Sequence, residues 1–431
     1  MLAGTQIRRV AIIGGARIPF ARAHGAYAKH GNQDMLTAAI RGVVDRHGLA
    51  GKRLGDVIAG AVLKHSKDFN LVRECVLSSG LDPQTPGLDI QRACGTSLEA
   101  AILVANKIAL GQIDAGIAGG VDTISDPPVV FPAEYRDLML ASYRGRSFFE
   151  RLKPWLRLRP RHFKPVMPGV IEPRTGLSMG QSCEQMAKNW QITRQEQDEL
   201  AAESHRRAAA AWQSGFMKDL VIPFAGLDRD NNVRADTSAE KLGKLRTVFD
   251  TSPTGTLTAG NSTPLTDGAA AVLLASEDWA RQNNQPVAAY LTFGKTWAVD
   301  FASGHEGLLM APAYAVSEML RDAKLSLQDF DFYEIHEAFA AQVLCTLKAW
   351  ESAQYCKERL KRDAPLGAID RAKLNLKGSS LAVGHPFAAT GARILATAAK
   401  LFAEMPQAKR GLISVCTAGG MGVTAIVERA A

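Results

Sequence analysis

Cys94 lies in the run DIQRACGTSLEA, between an apolar strand candidate and a pattern whose apolar positions Leu98, Ala101, Ile102, Ala105 and Ile108 recur at helical spacing. A cysteine there faces the free N–H groups and the positive dipole end of the helix, which favours thiolate over thiol and suits a nucleophile. An isolated cysteine packs a strand end more often than it reacts, so it needs supporting groups. His385 stands in GSSLAVGHPFAATGARIL, read as a strand, a tight turn and a helix start. Gly384 permits a close approach, Pro386 fixes the first helical turn, and the helix N-terminus disfavours protonation of His385, keeping it available as a base. Cys416, in SVCTAGGMG, ends a strand that empties into glycines, where backbone N–H groups can line up as oxyanion donors. His336 opens the run His336-Glu337-Ala338-Phe339 at a strand-to-helix junction.

All four are expected in loops that follow strands, the edge where α/β sheets place ligands. A nucleophilic cysteine, a histidine base and a second thiol fit acyl transfer with an additional proton transfer at carbon, since the second thiol can serve as acid or base. The elements that must position them follow a legible pattern. Over the first 125 residues RVAIIG, DVIAGAV, GLDIQRA and IDAGIAGG alternate with the helical DMLTAAIRGVVDRHG, LVRECVLSSG and SLEAAILVANKIALG. Such alternation predicts a layered α/β sheet. From 126 to 252 prolines and basic residues come first, then two polar helices, the second capped by Thr193 with Glu196; this region reads as an insertion. Alternation resumes through TLTAGNSTPLTDGAAAVLLAS, VAAYLTF, DFYEI and GLISVCT. The economical reading is two α/β halves, 1–125 with 253–278 and 279–431, around a loop domain at 126–252. A faint internal echo agrees, since TAGNSTPLTDGAAAVLLAS and CTAGGMGVTAIVERA both set a glycine-rich turn before an apolar strand.

At 431 residues, 46% hydrophobic and 22% charged, the chain has enough apolar content for a large core. The apolar stretch Val10–Ile13 is too short for a signal-peptide core, and no run approaches the roughly 18–20 residues of a membrane span, so a cytoplasmic location is expected. The six cysteines show neither CxxC pairing nor zinc-site spacing with histidine and are expected as reduced thiols.

Taken together, the cysteine near residue 90, TAGNSTPLTDGAAA, GHP and the C-terminal cysteine before glycines resemble the thiolase family, in order and over almost the whole chain. HEAFAAQ, GNSTPLTDGAAA, the segment 350–377 between HEAF and GHP, and the basic stretch RLKPWLRLRPRHF are similar to the degradative branch, in particular the β-subunit of the fatty-acid-oxidation trifunctional complex. The resemblance implies two similar βαβαβαββ halves in a five-layer αβαβα arrangement, and thiolysis of 3-ketoacyl-CoA, medium- to long-chain, by CoA. It implies that Cys94 takes the acyl group, His385 activates it and Cys416 protonates the acetyl-CoA carbanion. One oxyanion hole would comprise His336 and His385, the other the backbone N–H groups of Cys94 and Ala418. Arg234 and Thr263 would contact CoA, with Met179 and Phe339 lining the thioester pocket. CoA is implied as substrate, with no metal and no prosthetic group. A homodimer or larger assembly and a hydratase–dehydrogenase α-subunit are the implied partners. Three residues depart from the family pattern: Ala418 where glycine is general, Cys183 where alanine is usual, and Thr247 where proline is usual.

The net charge is +8, and Tyr143–Lys164 carries eight Lys or Arg against the single acid Glu150. Phe148, Phe149, Trp155 and Phe163 interleave with them, while Pro154 and Pro160 limit any helix to short pieces. This composition fits peripheral contact with anionic lipid, docking of a partner subunit, or steering of anionic CoA. No recognised motif accompanies the charge, which argues against nucleic acid. Two other readings compete: a biosynthetic acetyl-CoA acetyltransferase of the same fold, and a non-catalytic lipid-carrier or scaffold subunit. The latter sits poorly with retention of Cys94, His336, His385 and Cys416.

Overall fold

The computed structural model describes residues 6–169 and 171–430; the first five residues, part of the stretch read for a leader, lie outside it. Among the described residues ten strands form one continuous sheet: β1 (Val10–Arg17), β2 (Ala21–Arg22), β3 (Asp56–Ala59), β4 (Gly87–Asp89), β5 (Ala115–Asp122), β6 (Thr266–Ser276), β7 (Ala289–Ala298), β8 (Phe332–Ile335), β9 (Arg410–Thr417) and β10 (Met421–Arg429). Their order is β4-β3-β5-β6-β1-β7-β10-β9-β8, with β2 attached to β6.

The pairing pattern repeats. In the first half β1 runs antiparallel to β6 and β6 to β5, while β5 and β3, then β3 and β4, are parallel. In the second half β7 is antiparallel to β10 and β10 to β9, β9 is parallel to β8, and Tyr333 makes a parallel bridge to Leu374. The halves join where β1 meets β7, with Ala11 opposite Tyr290 and Ile12 opposite Ala289. The faint sequence echo therefore marks equivalent strands, β6 and β10.

Burial on both faces explains the composition of β6. All eleven of its residues are buried, with Ala269, Ala271, Leu273 and Ala275 in one core and Ala270, Val272 and Leu274 in another. A strand covered on both sides reads as an unbroken apolar run rather than an alternating one. The layers follow. Helices Asn32–Arg46 and Leu71–Ser78 cover the outer face of the first half, and helices Ala311–Ala323 and Ala340–Glu351 the outer face of the second. Helices Thr96–Ala109 and Thr390–Glu404 share one core with the inner faces of both halves. The result is the helix–sheet–helix–sheet–helix stack that the resemblance implied.

Between β5 and β6 the chain leaves the sheet. Helix Arg194–Gln213 carries the expected cap: Glu196 N–H donates to Thr193 Oγ1 at 3.2 Å, and Thr193 N–H to Glu196 Oε2 at 2.7 Å. The proline-punctuated basic segment starts at the end of helix Ala133–Arg144 and continues in short pieces, the helix Phe148–Leu152 and the 3₁₀ turns Lys153–Arg157 and Pro160–Phe163. Among the described residues no helix is long and apolar enough to cross a membrane.

One expected element is different. SLAV, read as a strand before GHP, is a single helical turn, Ser380–Val383. A four-residue apolar run does not distinguish strand from helix by periodicity. Here Arg393 holds Ser379 and Ser380 from the next helix and favours the turn. His385 thus follows a helical turn; His336 directly follows β8, Cys94 lies in the connection from β4 to helix Thr96–Ala109, and Cys416 is the penultimate residue of β9 rather than part of the loop after it.

Candidate active site

Cys94 is presented by a tight connection between β4 and helix Thr96–Ala109. Ala93 adopts φ +42°, a left-handed conformation uncommon for alanine, and Thr96 secures it. Its Oγ1 donates to Ala93 O at 2.7 Å and accepts from Arg92 N–H at 2.8 Å. His385 arrives from the other half. Gly384 takes φ +102°, where a side chain would be strained, and a Cβ there would lie 2.6 Å from Thr266 Oγ1. Gly120 admits the turn beyond His385, because a Cβ at 120 would fall 2.1 Å from Ala388 O. The Asp122 carboxylate then fastens that turn, accepting N–H bonds from Ala388 at 2.8 Å and from Val62 and Leu63 at 2.9 and 2.7 Å.

The candidate groups converge. His385 Nε2 lies 3.1 Å from Cys94 Sγ, and its Nδ1 lies 2.6 Å from Thr390 Oγ1. With Nδ1–H donating to Thr390, the Nε2 lone pair faces the thiol, as a base requires. The ring of His336 sits 4.1 Å from that of His385. Its Nδ1 is 2.8 Å from Ser380 Oγ, while its buried Nε2 has no hydrogen-bond partner among the described residues. Cys94 Sγ and a ring nitrogen of each histidine lie within 4.8 Å of one another, near enough for one small reacting group to meet all three. The backbone N–H groups of Ala418 and Cys94 both point at Cys94 Sγ, and Ala338 N–H points at Cys416 Sγ. These groups open onto an apolar cavity of ≈ 210 Å³ whose walls include Met179, Thr263, Phe339, Phe249, Leu309 and Phe387.

Electrostatics correct one expectation. Burial pushes the Cys94 thiol up from 9.0 to about 12, against the opposing backbone N–H bonds. That rise corresponds to ~4 kcal/mol, more than the up to ~2 kcal/mol a helix N-terminus supplies. Cys94 therefore rests as a thiol, not the thiolate its helix-start position suggests. Burial, helped by the Arg393 charge, lowers His385 to about 3, so the imidazole is neutral as expected. His336 is held well below its usual range by burial, His385 and Arg393, and burial raises Cys416 well above the usual thiol range.

The structure brings Cys94, His385, Cys416, Ala418, Thr263, Met179 and Phe339 to one cavity and sets His336 directly behind it. Arg234 lines a neighbouring polar cavity with Arg22, His205, Asn231 and Lys241. The segment from Ser262 to Leu265 divides the two, with Ser262 and Pro264 facing one and Thr263 and Leu265 the other. Thr247 pairs with Thr258, which ties down the run leading to Phe249 in the cavity wall. Cys183 is fully buried in the same core as Cys416, and all six cysteines are free. Sequence reasoning missed Thr390, Ser380 and Arg393. Their one signal is that polar side chains interrupt otherwise apolar runs beside GHP.

A family model described as thiolase, N-terminal domain, matches residues 10–278, and one described as thiolase, C-terminal domain, matches residues 287–429. A 3-ketoacyl-CoA thiolase of Shewanella sp. (strain W3-18-1) is 39% identical over 426 residues, covering 97% of each chain. One from Alteromonas mediterranea is 39% identical over 432 residues with the same coverage. Among solved structures, the acetyl-CoA acetyltransferase of Bacillus anthracis superposes with a TM-score of 0.82 at 28% identity, covering 99% of this chain and 100% of that one. Human mitochondrial 3-ketoacyl-CoA thiolase in complex with CoA gives 0.82 at 26% identity, covering 99% of both chains. With its fold, its paired halves and matching domains across nearly its whole length, the chain belongs to the thiolase family.

Proposed function

We propose that this protein is a 3-ketoacyl-CoA thiolase, an acyltransferase that cleaves 3-ketoacyl-CoA with CoA to give acetyl-CoA and an acyl-CoA two carbons shorter. The observation that carries the reading is the 3.1 Å contact between Cys94 Sγ and His385 Nε2, beside a second thiol in an apolar cavity. Because the thiol rests near 12 and the imidazole near 3, the proton moves to His385 as attack occurs, not beforehand. Sγ adds to the 3-keto carbon, and the resulting oxyanion meets the N–H groups of Cys94 and Ala418, the donors nearest the new bond. Collapse breaks the bond between C2 and C3, and its electron pair passes to the acetyl-CoA fragment. The thioester oxygen of that fragment is held by His336 and by the now protonated His385. Cys416 gives its proton to C2, and acetyl-CoA leaves. In the second half-reaction the Cys416 thiolate takes the proton of incoming CoA, whose sulfur attacks the acyl-Cys94 thioester. His385 returns its proton to Sγ, so every group regains its starting state. CoA is a substrate, and the scheme uses no prosthetic group.

The finer assignments belong to the same proposal. The halves are 1–125 with 253–278 and 279–431, with 126–252 as the loop domain. Arg234, in its basic cavity, would meet a CoA phosphate, and Thr263, Met179 and Phe339 the pantetheine and thioester. We assign medium- to long-chain substrates, a dimer as the minimum assembly, and a docking or anionic-lipid role for 143–164. Support for the last is exposure, with Phe148 at 72%, Phe149 at 80% and Leu156 at 82%. The deciding experiment is a thiolysis assay across short, medium and long 3-ketoacyl-CoAs, with mass spectrometry of Cys94. Failure to form an acyl-enzyme or to cleave any 3-ketoacyl-CoA ends the reading; strict use of acetoacetyl-CoA overturns the chain-length assignment.

A further inference from the structure

Behind the cavity wall a short buried relay leads to His336. Arg393, 4% exposed on helix Thr390–Glu404, donates from Nη2 to Ser380 Oγ at 2.7 Å, and more weakly to Ser379 Oγ at 3.2 and 3.3 Å. Ser380 Oγ lies 2.8 Å from His336 Nδ1 and, among the described residues, has no other partner. On the far side of the ring Nε2 is buried and, among the described residues, unpartnered, and a ring nitrogen of His336 lies within 4.8 Å of Cys94 Sγ and of a His385 ring nitrogen.

The donor inventory fixes where the protons lie. A guanidinium only donates, so Ser380 Oγ accepts from Arg393 on one lone pair. Its single hydrogen then has one acceptor within reach, His336 Nδ1. A neutral imidazole that accepts at Nδ1 carries its hydrogen on Nε2. The opposite arrangement strands the serine hydrogen in a dry interior and presents a lone pair to the cavity, where it would repel an oxyanion.

We infer that Ser380, held by Arg393, is a positioning residue that locks His336 in the Nε2–H tautomer and so makes it a hydrogen-bond donor to the thioester oxygen of the departing acetyl-CoA. This rests on the thiolase reading above.

The test compares wild type, Ser380→Ala, His336→Asn and the double variant as full chains. Two rates are measured separately: cleavage of 3-ketoacyl-CoA, and transfer of a preformed acyl group from Cys94 to CoA, which makes no enolate. Loss of one oxyanion donor costs about 10²- to 10³-fold, so Ser380→Ala is expected to slow cleavage by roughly 10- to 100-fold, since the donor tautomer is depleted rather than removed. Acyl transfer should change less than about threefold, and Ser380→Ala should cost similarly little in the His336→Asn background, where no tautomer needs selecting. ¹⁵N spectra of histidine-labelled protein, with His336 assigned by its loss in His336→Asn, should show Nε2–H in wild type and a mixed population in Ser380→Ala. Equal losses in both backgrounds, equal losses of both rates, an unaffected Ser380→Ala, or an Nδ1–H signal in wild type would each overturn the inference. The wild-type spectrum decides even if Ser380→Ala fails to fold. Active wild type with such results leaves the thiolase reading standing, whereas inactive wild type defeats that reading itself.

Discussion

Replacing Thr390 by valine tests how His385 becomes a base. Thr390 Oγ1 is the sole hydrogen-bond partner of His385 Nδ1 among the described residues, at 2.6 Å, and both residues are buried. Valine keeps the branched shape but removes the acceptor. Two responses remain. The Nδ1–H stays unpaired in the interior, which costs ~1–3 kcal/mol, or the proton moves to Nε2, where it faces the Cys94 thiol and cannot accept from it. Either response penalises the reactive tautomer by that amount, equivalent to roughly a 5- to 150-fold fall in the rate of Cys94 acylation. Single-turnover acylation by a 3-ketoacyl-CoA, followed by rapid quench, reads this step directly. Thr390→Ser retains the hydroxyl and should stay near wild type. Acylation by Thr390→Val within about twofold of wild type, or equal falls in the valine and serine variants, would falsify the assignment of Thr390 as the group that orients the base.

Three other outcomes are expected. Alkylation of Cys94 by iodoacetamide should accelerate about tenfold per pH unit from neutrality to about pH 9, as a thiol raised to about 12 yields thiolate only slowly; a rate flat over that range would reveal a preformed ion pair instead. Among the described residues Glu334 has no hydrogen-bond partner at either carboxylate oxygen, and burial raises it from 4.5 to about 8 against the pull of Arg393. The unfolded chain releases this proton first, so stability drains as pH rises from 4.5 through about 8, and Glu334→Gln should gain Tm relative to wild type across that window; parallel Tm curves sink the argument. Phe148→Ser with Phe149→Ser should weaken binding to phosphatidylserine vesicles without changing thiolysis of a short substrate, and undiminished binding would remove the lipid-contact role from the exposed segment.

Residues at element boundaries were legible, and residues inside elements were not. Cys94, His336 and Cys416 each interrupt a strand-end pattern with glycine or a helix start nearby, and such punctuation survives in one sequence. Arg393 sits in TGARILATAA, a helix covered on nearly all sides because both halves pack on it. A surface helix carries arginine routinely, so its meaning depends on that hidden second partner. Ser380 and Glu334 were obscured likewise, one in a four-residue turn mistaken for a strand, the other in a short strand where alternation has no length to declare itself. The thiolate expectation failed for a different reason: the helix start is local and visible, whereas the apolar walls that outweigh it come from Met179, Phe249 and Leu309, distant in the chain.

The position of β6 bears on how the chain is made. It lies between β5 and β1 and bonds to both, yet it follows β5 only after the whole insertion. During synthesis the residues from 123 to 265 must emerge between the two strands, about 7–30 s at ribosomal speeds of ~5–20 residues per second. Throughout that interval β1 and β5 present unpaired apolar edges to the cell. The enzyme's nascent form is therefore expected to depend on chaperones well before Cys94 and His385, the proposed catalytic pair, can meet.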